Sequence, residues 1–186
     1  PPFKSSPLLS SFALALLLNP LVILMSPLAL ILAFIYPFTK RWIHCPQVIL
    51  GAAFGFAIPM GFAAELGALP LIAWVYYGLT LLWVVGYDTY YALADREDDL
   101  KIGVRSTAIL FGAWAEAWAF GLTLCFAIGF SWLAFTGLWG WICFFTVSTL
   151  SIWQYMSVQT LSPQRYMKAF RGSNLIGLVV TFCLVL

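Results

Sequence analysis

Charge is what this sequence has least of. Asp, Glu, Lys and Arg make up only 9% of its 186 residues, against 63% hydrophobic ones, whereas a soluble domain carries about a quarter charged residues. That deficit points away from a water-soluble domain and towards a membrane protein with many spans. The net charge of +2 is too small to hold a phosphate backbone, so no nucleic-acid partner is expected. The single histidine, His44, has no second histidine or carboxylate at ligand spacing and reads as a loop residue. The four cysteines, Cys45, Cys125, Cys143 and Cys183, form no C-x-x-C pair, and three lie inside apolar runs. They read as small packing residues rather than metal ligands or disulfide partners. No G-x-S-x-G, P-loop or H-E-x-x-H pattern occurs, which argues against the hydrolases and nucleotidases built on them.

Long apolar runs are what the sequence has instead. They fall at about 7–18, 20–37, 46–64, 70–93, 107–133, 138–157 and 169–186, and a membrane-crossing helix needs roughly 20 such residues. The pattern predicts an all-α polytopic membrane helix bundle of about seven transmembrane helices, with residues 1–186 forming a single domain. Asn19-Pro20 divides the first two runs, because a residue before proline disfavours helix. The first run is short for a full span, so six helices is the alternative.

Alternating helices put the segments around 1–6, 38–45, 95–106 and 158–168 on one side, and with Arg171 just beyond them they collect all nine basic residues. Glu65 is the only charge on the other side. By the positive-inside rule the basic side is the cytoplasm, or the matrix of an organelle. Trp42, Tyr87, Trp139, Trp141 and Tyr166 near the predicted helix ends read as interfacial anchors. Gly51, Ala52, Ala53, Gly55, Ala57 and Gly61 predict close helix packing in the third run, and Pro59 predicts a kink there.

Half of the chain's sixteen charges crowd into residues 88–105: Asp88, Asp95, Arg96, Glu97, Asp98, Asp99, Lys101 and Arg105. On one continuous helix Asp88, Asp95 and Asp99 would share a stripe about 40° wide. Three carboxylates on one face repel each other, and a divalent cation would remove the conflict. Mg²⁺ takes oxygen ligands, commonly one or two carboxylates plus substrate phosphates, which suits the D-x-x-x-D spacing of Asp95 and Asp99. Lys101 and Arg105 follow, placed to neutralise a diphosphate. The alternative is a solvated loop between spans. Asp88 favours the first reading, since it interrupts an apolar run where a buried carboxylate is costly. Arg41 ends the second run on the same side, facing either the diphosphate or an anionic acceptor, or else snorkelling as a topology residue. Glu116 is a further intramembrane acid, and Asn174 reads as a helix–helix hydrogen-bonding residue.

The stretch "DREDDLKIGVRSTAILFG", residues 95–112, resembles the second aspartate-rich motif of the UbiA-type intramembrane prenyltransferases. "YPFTKRWIHCPQVILGAAFGFAIPMGFAA", residues 36–64, is similar to the segment preceding it in the branch that prenylates 4-hydroxybenzoate. The resemblance implies a Mg²⁺-dependent enzyme of nine helices that joins a polyprenyl diphosphate to the ring of 4-hydroxybenzoate in ubiquinone biosynthesis. The resemblance also implies a bacterial or mitochondrial inner membrane as its location. By motif, Asp95 and Asp99 become metal ligands and, with Asp88, catalytic residues, while Lys40, Arg41, Lys101 and Arg105 become diphosphate- or substrate-binding residues. The family's first motif, N-D-x-x-D-x-x-x-D, is absent. The resemblance therefore implies that these segments are helices three to nine, that the partner helices precede Pro1, and that this chain alone is inactive. Tyr90, Tyr91 and Phe54 are candidate aromatic walls for an allylic cation. The other readings are a different aromatic acceptor, a non-catalytic membrane paralogue, and a cation transporter using Asp88 and Asp95 as a relay.

Overall fold

A computed structural model describes residues 10, 13–134, 137–159 and 162–185, and among them every regular element is a helix. The chain runs α1 (Pro20–Thr39), α2 (Pro46–Gly55), α3 (Ala57–Leu66), α4 (Leu71–Ala94), α5 (Arg96–Ile102), α6 (Thr107–Leu110), a 3₁₀ turn (Gly112–Trp114), α7 (Ala115–Ala134), α8 (Leu138–Val158) and α9 (Pro163–Val185). Four described segments are long and apolar enough to cross a membrane: Pro20–Thr39, Pro46–Leu66, Leu71–Ala94 and Gly112–Ala134. The helices α8 and α9, at 21 and 23 residues, have comparable length. Of the run at 7–18, residues 10 and 13–18 are described, with 13–16 helical; the others lie outside the described residues.

Each boundary has a local cause. Asn19 starts α1: its side chain accepts from the Val22 N–H at 3.2 Å, and its amide reaches the carbonyls of Ala63 and Ala64 at the end of α3. Asn19-Pro20 is thus a helix cap, and Pro20 supplies the preset φ of a first turn. The run at 46–64 divides at Phe56, three residues before Pro59, whose missing N–H and ring bulk free the preceding turn. The run expected at 107–133 is not one helix. It breaks after Leu110, where Gly112 adopts φ +55°. At the other end of the chain, α9 starts at Pro163, earlier than the apolar run, since proline fits the first turn of a helix, here one whose start is polar, with Gln164, Arg165 and Lys168.

The long helix α4 is central. It packs against α2, α7 and α9, while α8 joins α7 and α9. Small residues set the α2–α4 distance: a methyl group at Gly51 would press on Leu81, and one at Gly55 on Tyr77. Lipid tails give helices no hydrophobic reason to associate, so this close fit provides the attraction. The Tyr77 hydroxyl donates to the Ala52 carbonyl across the same seam. Cys143 and Cys183 are buried in the core formed by α7, α8 and α9, as packing residues, and all four cysteines are free thiols.

Candidate functional site

The acidic residues meet at one end of the bundle. Asp88 lies in the last two turns of α4 and is 7% exposed. Asp99 lies in α5 and is 6% exposed. Between them the chain bends at Asp95, with φ −94° and ψ 0°, the bridge region where a helix can turn a corner. The single straight stripe expected from the sequence is therefore replaced by two helices with Asp95 at the joint. The hydrogen bonding continues on both sides, from the Asp95 N–H to the Tyr91 carbonyl at 3.2 Å and from the Asp99 N–H to the Asp95 carbonyl at 2.9 Å. The bend keeps the acids together: Asp95 acts electrostatically on both Asp88 and Asp99. Lys40, just past the end of α1, faces the same two acids.

Burial raises the Asp99 carboxyl above the ordinary carboxylate range, and the neighbouring charges of Asp95 and Asp98 add to the effect. Lys40 and the nearby Ser106 hydroxyl oppose it. Ser106 Oγ and Asp99 Oδ2 are both buried without a hydrogen-bond partner of normal geometry, so the Ser106 contribution is a weak one. An orphaned, buried carboxylate oxygen beside a second carboxylate is a cost the fold carries.

The return strand of the loop is fastened at several points. Gly103 ends α5 at φ +71°, a conformation that favours glycine, and the N–H groups of Gly103 and Val104 both reach the Asp99 carbonyl. Next, the Arg105 N–H donates to the Lys40 carbonyl at 2.9 Å, and its Nη1 donates to the Trp42 carbonyl at 2.6 Å. The segment carrying Lys40 is thus tied to the segment carrying Asp99. One residue-pair further on, the Thr107 N–H donates to Gln47 Oε1 at 3.1 Å, and Thr107 Oγ1 lies 2.9 Å from Thr89 Oγ1.

Deeper along α4, towards the bundle centre, a cavity of about 310 Å³ is lined by Phe54, Trp83, Tyr87, Phe170, Ser173 and Asn174, among others. Its walls are locked ring to ring: Trp83 meets Tyr87 at 5.5 Å and Tyr87 meets Phe170 at 5.8 Å between centroids. Tyr91 packs on the same Phe170 at 5.3 Å. Tyr36, Tyr87 and Tyr91 all lie within electrostatic reach of Asp88, so aromatic rings connect the acids to the apolar cavity.

The structure thus brings Asp88, Asp95, Asp99 and Lys40 together. Arg41 is exposed on the adjoining turn. Arg105 approaches, with one guanidinium nitrogen committed to Trp42. Lys101 is turned away: its Nζ pairs with Asp98 Oδ1 at 2.8 Å on the solvent side, and that partner raises its pKa. Phe54 lines the cavity, as expected. Tyr90 does not. It is 1% exposed in a separate core with Leu93, Ala108 and Ala119, because consecutive helical residues point about 100° apart. Tyr87 and Tyr166 are not surface anchors either: Tyr87 lines the cavity, and Tyr166 is buried and donates to Glu116 Oε1 at 2.6 Å. That bond also accounts for Glu116. Asn174 faces the cavity rather than a neighbouring helix.

Sequence reasoning passed over Gln47, Thr89, Gly103, Ser106 and Thr107. For Gly103 the signal was there, a glycine closing a helical charged run. Gln47, an amide opening an apolar run, was another. The three hydroxyl residues carry no such mark.

As a metal site the cluster is partial. Among the described residues no group of three or more His, Cys, Asp or Glu side chains is close enough to hold a metal ion. Asp95 and Asp99, four residues apart, with Asp99 Oδ2 unpartnered, fit the one or two carboxylates that Mg²⁺ takes when phosphates and water complete its shell.

A helical membrane bundle with acids and a lysine at one end, joined through Tyr87 to an aromatic cavity, defines the class. The match to known proteins is specific. Residues 6–176 match the model of the UbiA prenyltransferase family, and the chain belongs to that family. It is 46% identical over 180 residues to the 4-hydroxybenzoate octaprenyltransferase of Hahella chejuensis, covering 95% of this chain and 60% of that one. It is 42% identical over 179 residues to the protein of the same name from Azotobacter vinelandii, covering 95% and 61%. The chain thus spans about 60% of the length of the curated relatives it matches. In fold it is similar to the apo structure of a UbiA homolog from Aeropyrum pernix K1, with a TM-score of 0.78 at 24% identity, covering 94% of this chain and 66% of that one.

Proposed function

We propose that this chain is the larger part of an aromatic prenyltransferase that transfers a polyprenyl group from its diphosphate to the ring of 4-hydroxybenzoate. The activity is that of a protein of the relatives' full length, with the remaining helices supplying the other carboxylates of the site. In this reading α8, α9 and the run at 7–18 are also spans, giving seven here. The end carrying Lys40, Arg41, the 95–105 loop and Arg165 is the cytoplasmic or matrix face of an inner membrane.

The observation that carries the reading is that Asp88 and Asp99 share Lys40, with Asp95 acting on both, while Tyr87 joins Asp88 to an aromatic-walled cavity. Leaving-group departure from an allylic diphosphate creates two charges in a low-dielectric space. Lys40 and Arg41, with the uncommitted part of Arg105, would stabilise the departing diphosphate. Asp95 and Asp99 would hold Mg²⁺, which when bound supplies charge neutralisation to the diphosphate oxygens. The faces of Tyr87, Trp83 and Phe170 would attract the allylic cation. Asp88, with Tyr36, Tyr87 and Tyr91 in electrostatic reach, would orient the phenol or receive the ring proton. The prenyl tail would leave through the apolar cavity into lipid.

The test is incorporation of radiolabelled 4-hydroxybenzoate into prenylated lipid, using membranes that contain the full-length protein and a polyprenyl diphosphate. Product formation that stops on chelation and returns with Mg²⁺ is expected. Absence of product in folded, membrane-inserted protein would sink the assignment.

A further inference from the structure

We infer that Gln47 is a positioning residue, which holds the far end of the acidic loop so that Asp88 and Asp99 stay on the same lysine. The inference rests on the prenyl-transfer reading above. Gln47 belongs to α2 and is 2% exposed. Its Oε1 accepts from the N–H of Thr107, the first residue of α6, which is itself fully buried. The first N–H groups of any helix lack an intrahelical partner, and Ser106, at the capping position, makes no side-chain cap bond. Gln47 therefore does from another helix what a local cap would otherwise do.

The network runs on towards the acids. Thr89 Oγ1 donates to the Val85 carbonyl at 2.7 Å. Its single proton is thereby used, so in the 2.9 Å contact between the two threonines it is Thr107 that donates and Thr89 that accepts. Thr89 directly follows Asp88, and Thr107 directly follows Ser106, whose hydroxyl lies beside Asp99. A shift of Thr107 therefore moves the groups around two of the three acids at once. The acceptor must also be neutral, because a carboxylate at this buried position would carry a costly charge. Glutamine supplies the acceptor without the charge.

The experiment compares three full-length proteins in membranes. Gln47→Met removes the acceptor and strands a buried N–H. Adding Thr107→Pro removes that donor as well, together with the hydroxyl that donates to Thr89. Proline is suited to the first position of a helix, and Ser106 already has the extended backbone, φ −153° and ψ 163°, that a residue before proline adopts. Since a stranded buried N–H costs more than an absent one, the double variant should recover part of the thermal stability that the single variant loses, short of wild type by the lost Thr107–Thr89 bond. The inference predicts that KM for the polyprenyl diphosphate nevertheless stays at least ten-fold raised in both variants, with kcat within three-fold of wild type. Return of KM to the wild-type value together with stability would reduce Gln47 to a structural role and overturn the inference. Should the wild-type protein transfer no prenyl group, the functional reading fails separately. Amide exchange in Thr107–Leu110 then decides: at least ten-fold faster exchange in Gln47→Met is expected, and unchanged exchange would overturn the inference.

Discussion

Two lysine–aspartate pairs meet on the short helix α5 and differ in almost every physical respect. Asp98 and Lys101 pair at 2.8 Å, with side chains 82% and 70% exposed. Asp99, the next residue, is 6% exposed and faces Lys40 from another helix, with Asp88 and Asp95 acting on the same lysine or on each other. The first pair is surrounded by water and screened by salt, so it contributes little. In the second the carboxylate is buried and Lys40 is half-buried, so less water lies between the charges and each acts more strongly at a given distance. Distance alone would rank the pairs the wrong way round. Burial and the number of converging groups identify the site.

The comparison can be broken most decisively at Asp95, which sits at the joint and acts on both buried acids. Asp95→Ala in the full-length protein should lower the prenyl-transfer rate by at least about 100-fold, the range seen when one preorganised electrostatic group is removed. A steady-state assay showing more than a tenth of the wild-type rate would place the chemistry elsewhere. The two lysines come next. Lys40→Met should raise KM for the polyprenyl diphosphate about ten-fold, equivalent to roughly 1.4 kcal/mol of lost binding, whereas Lys101→Met should leave KM within two-fold. Equal effects in a side-by-side titration would erase the distinction between the pairs.

Smaller effects sharpen the account of how the buried pair is held. Arg105→Ala removes the 2.6 Å bond to the Trp42 carbonyl but leaves its backbone bond to Lys40. A stability loss of about 1 kcal/mol is expected, visible as a lower melting temperature in detergent, with a several-fold fall in rate. Gly103→Ala meets no neighbouring atom, so its cost is the strained backbone at φ +71° alone. A change of about 1 kcal/mol is expected. A melting temperature unchanged from wild type would show that the turn after α5 relaxes freely.

The sequence made the bilayer and the acidic cluster legible for simple reasons. Long apolar runs need no tertiary information, and carboxylates stand out against an apolar background. The helix of Asp88 and the crowding of Asp95 and Asp99 could be read for that reason. Lys40 and Lys101 could not be ranked, because each is one basic residue in a polar connection and only the bend at Asp95 decides which faces the acids. Tyr90 was misplaced by the same uncertainty, since a single residue's rotation on α4 separates the cavity wall from the core. The Gln47–Thr107–Thr89 network was hidden more deeply: it joins residues 60 and 18 positions apart, and its members are unremarkable polar side chains until they are brought together.

The most direct test of the account sets neighbouring aspartates against each other. Prenyl transfer to 4-hydroxybenzoate would be measured for Asp99→Asn and Asp98→Asn at matched expression in the same membranes. The account predicts a fall of at least about 100-fold for Asp99→Asn and a rate within two-fold of wild type for Asp98→Asn. Comparable losses in both, or full activity in Asp99→Asn, would contradict it.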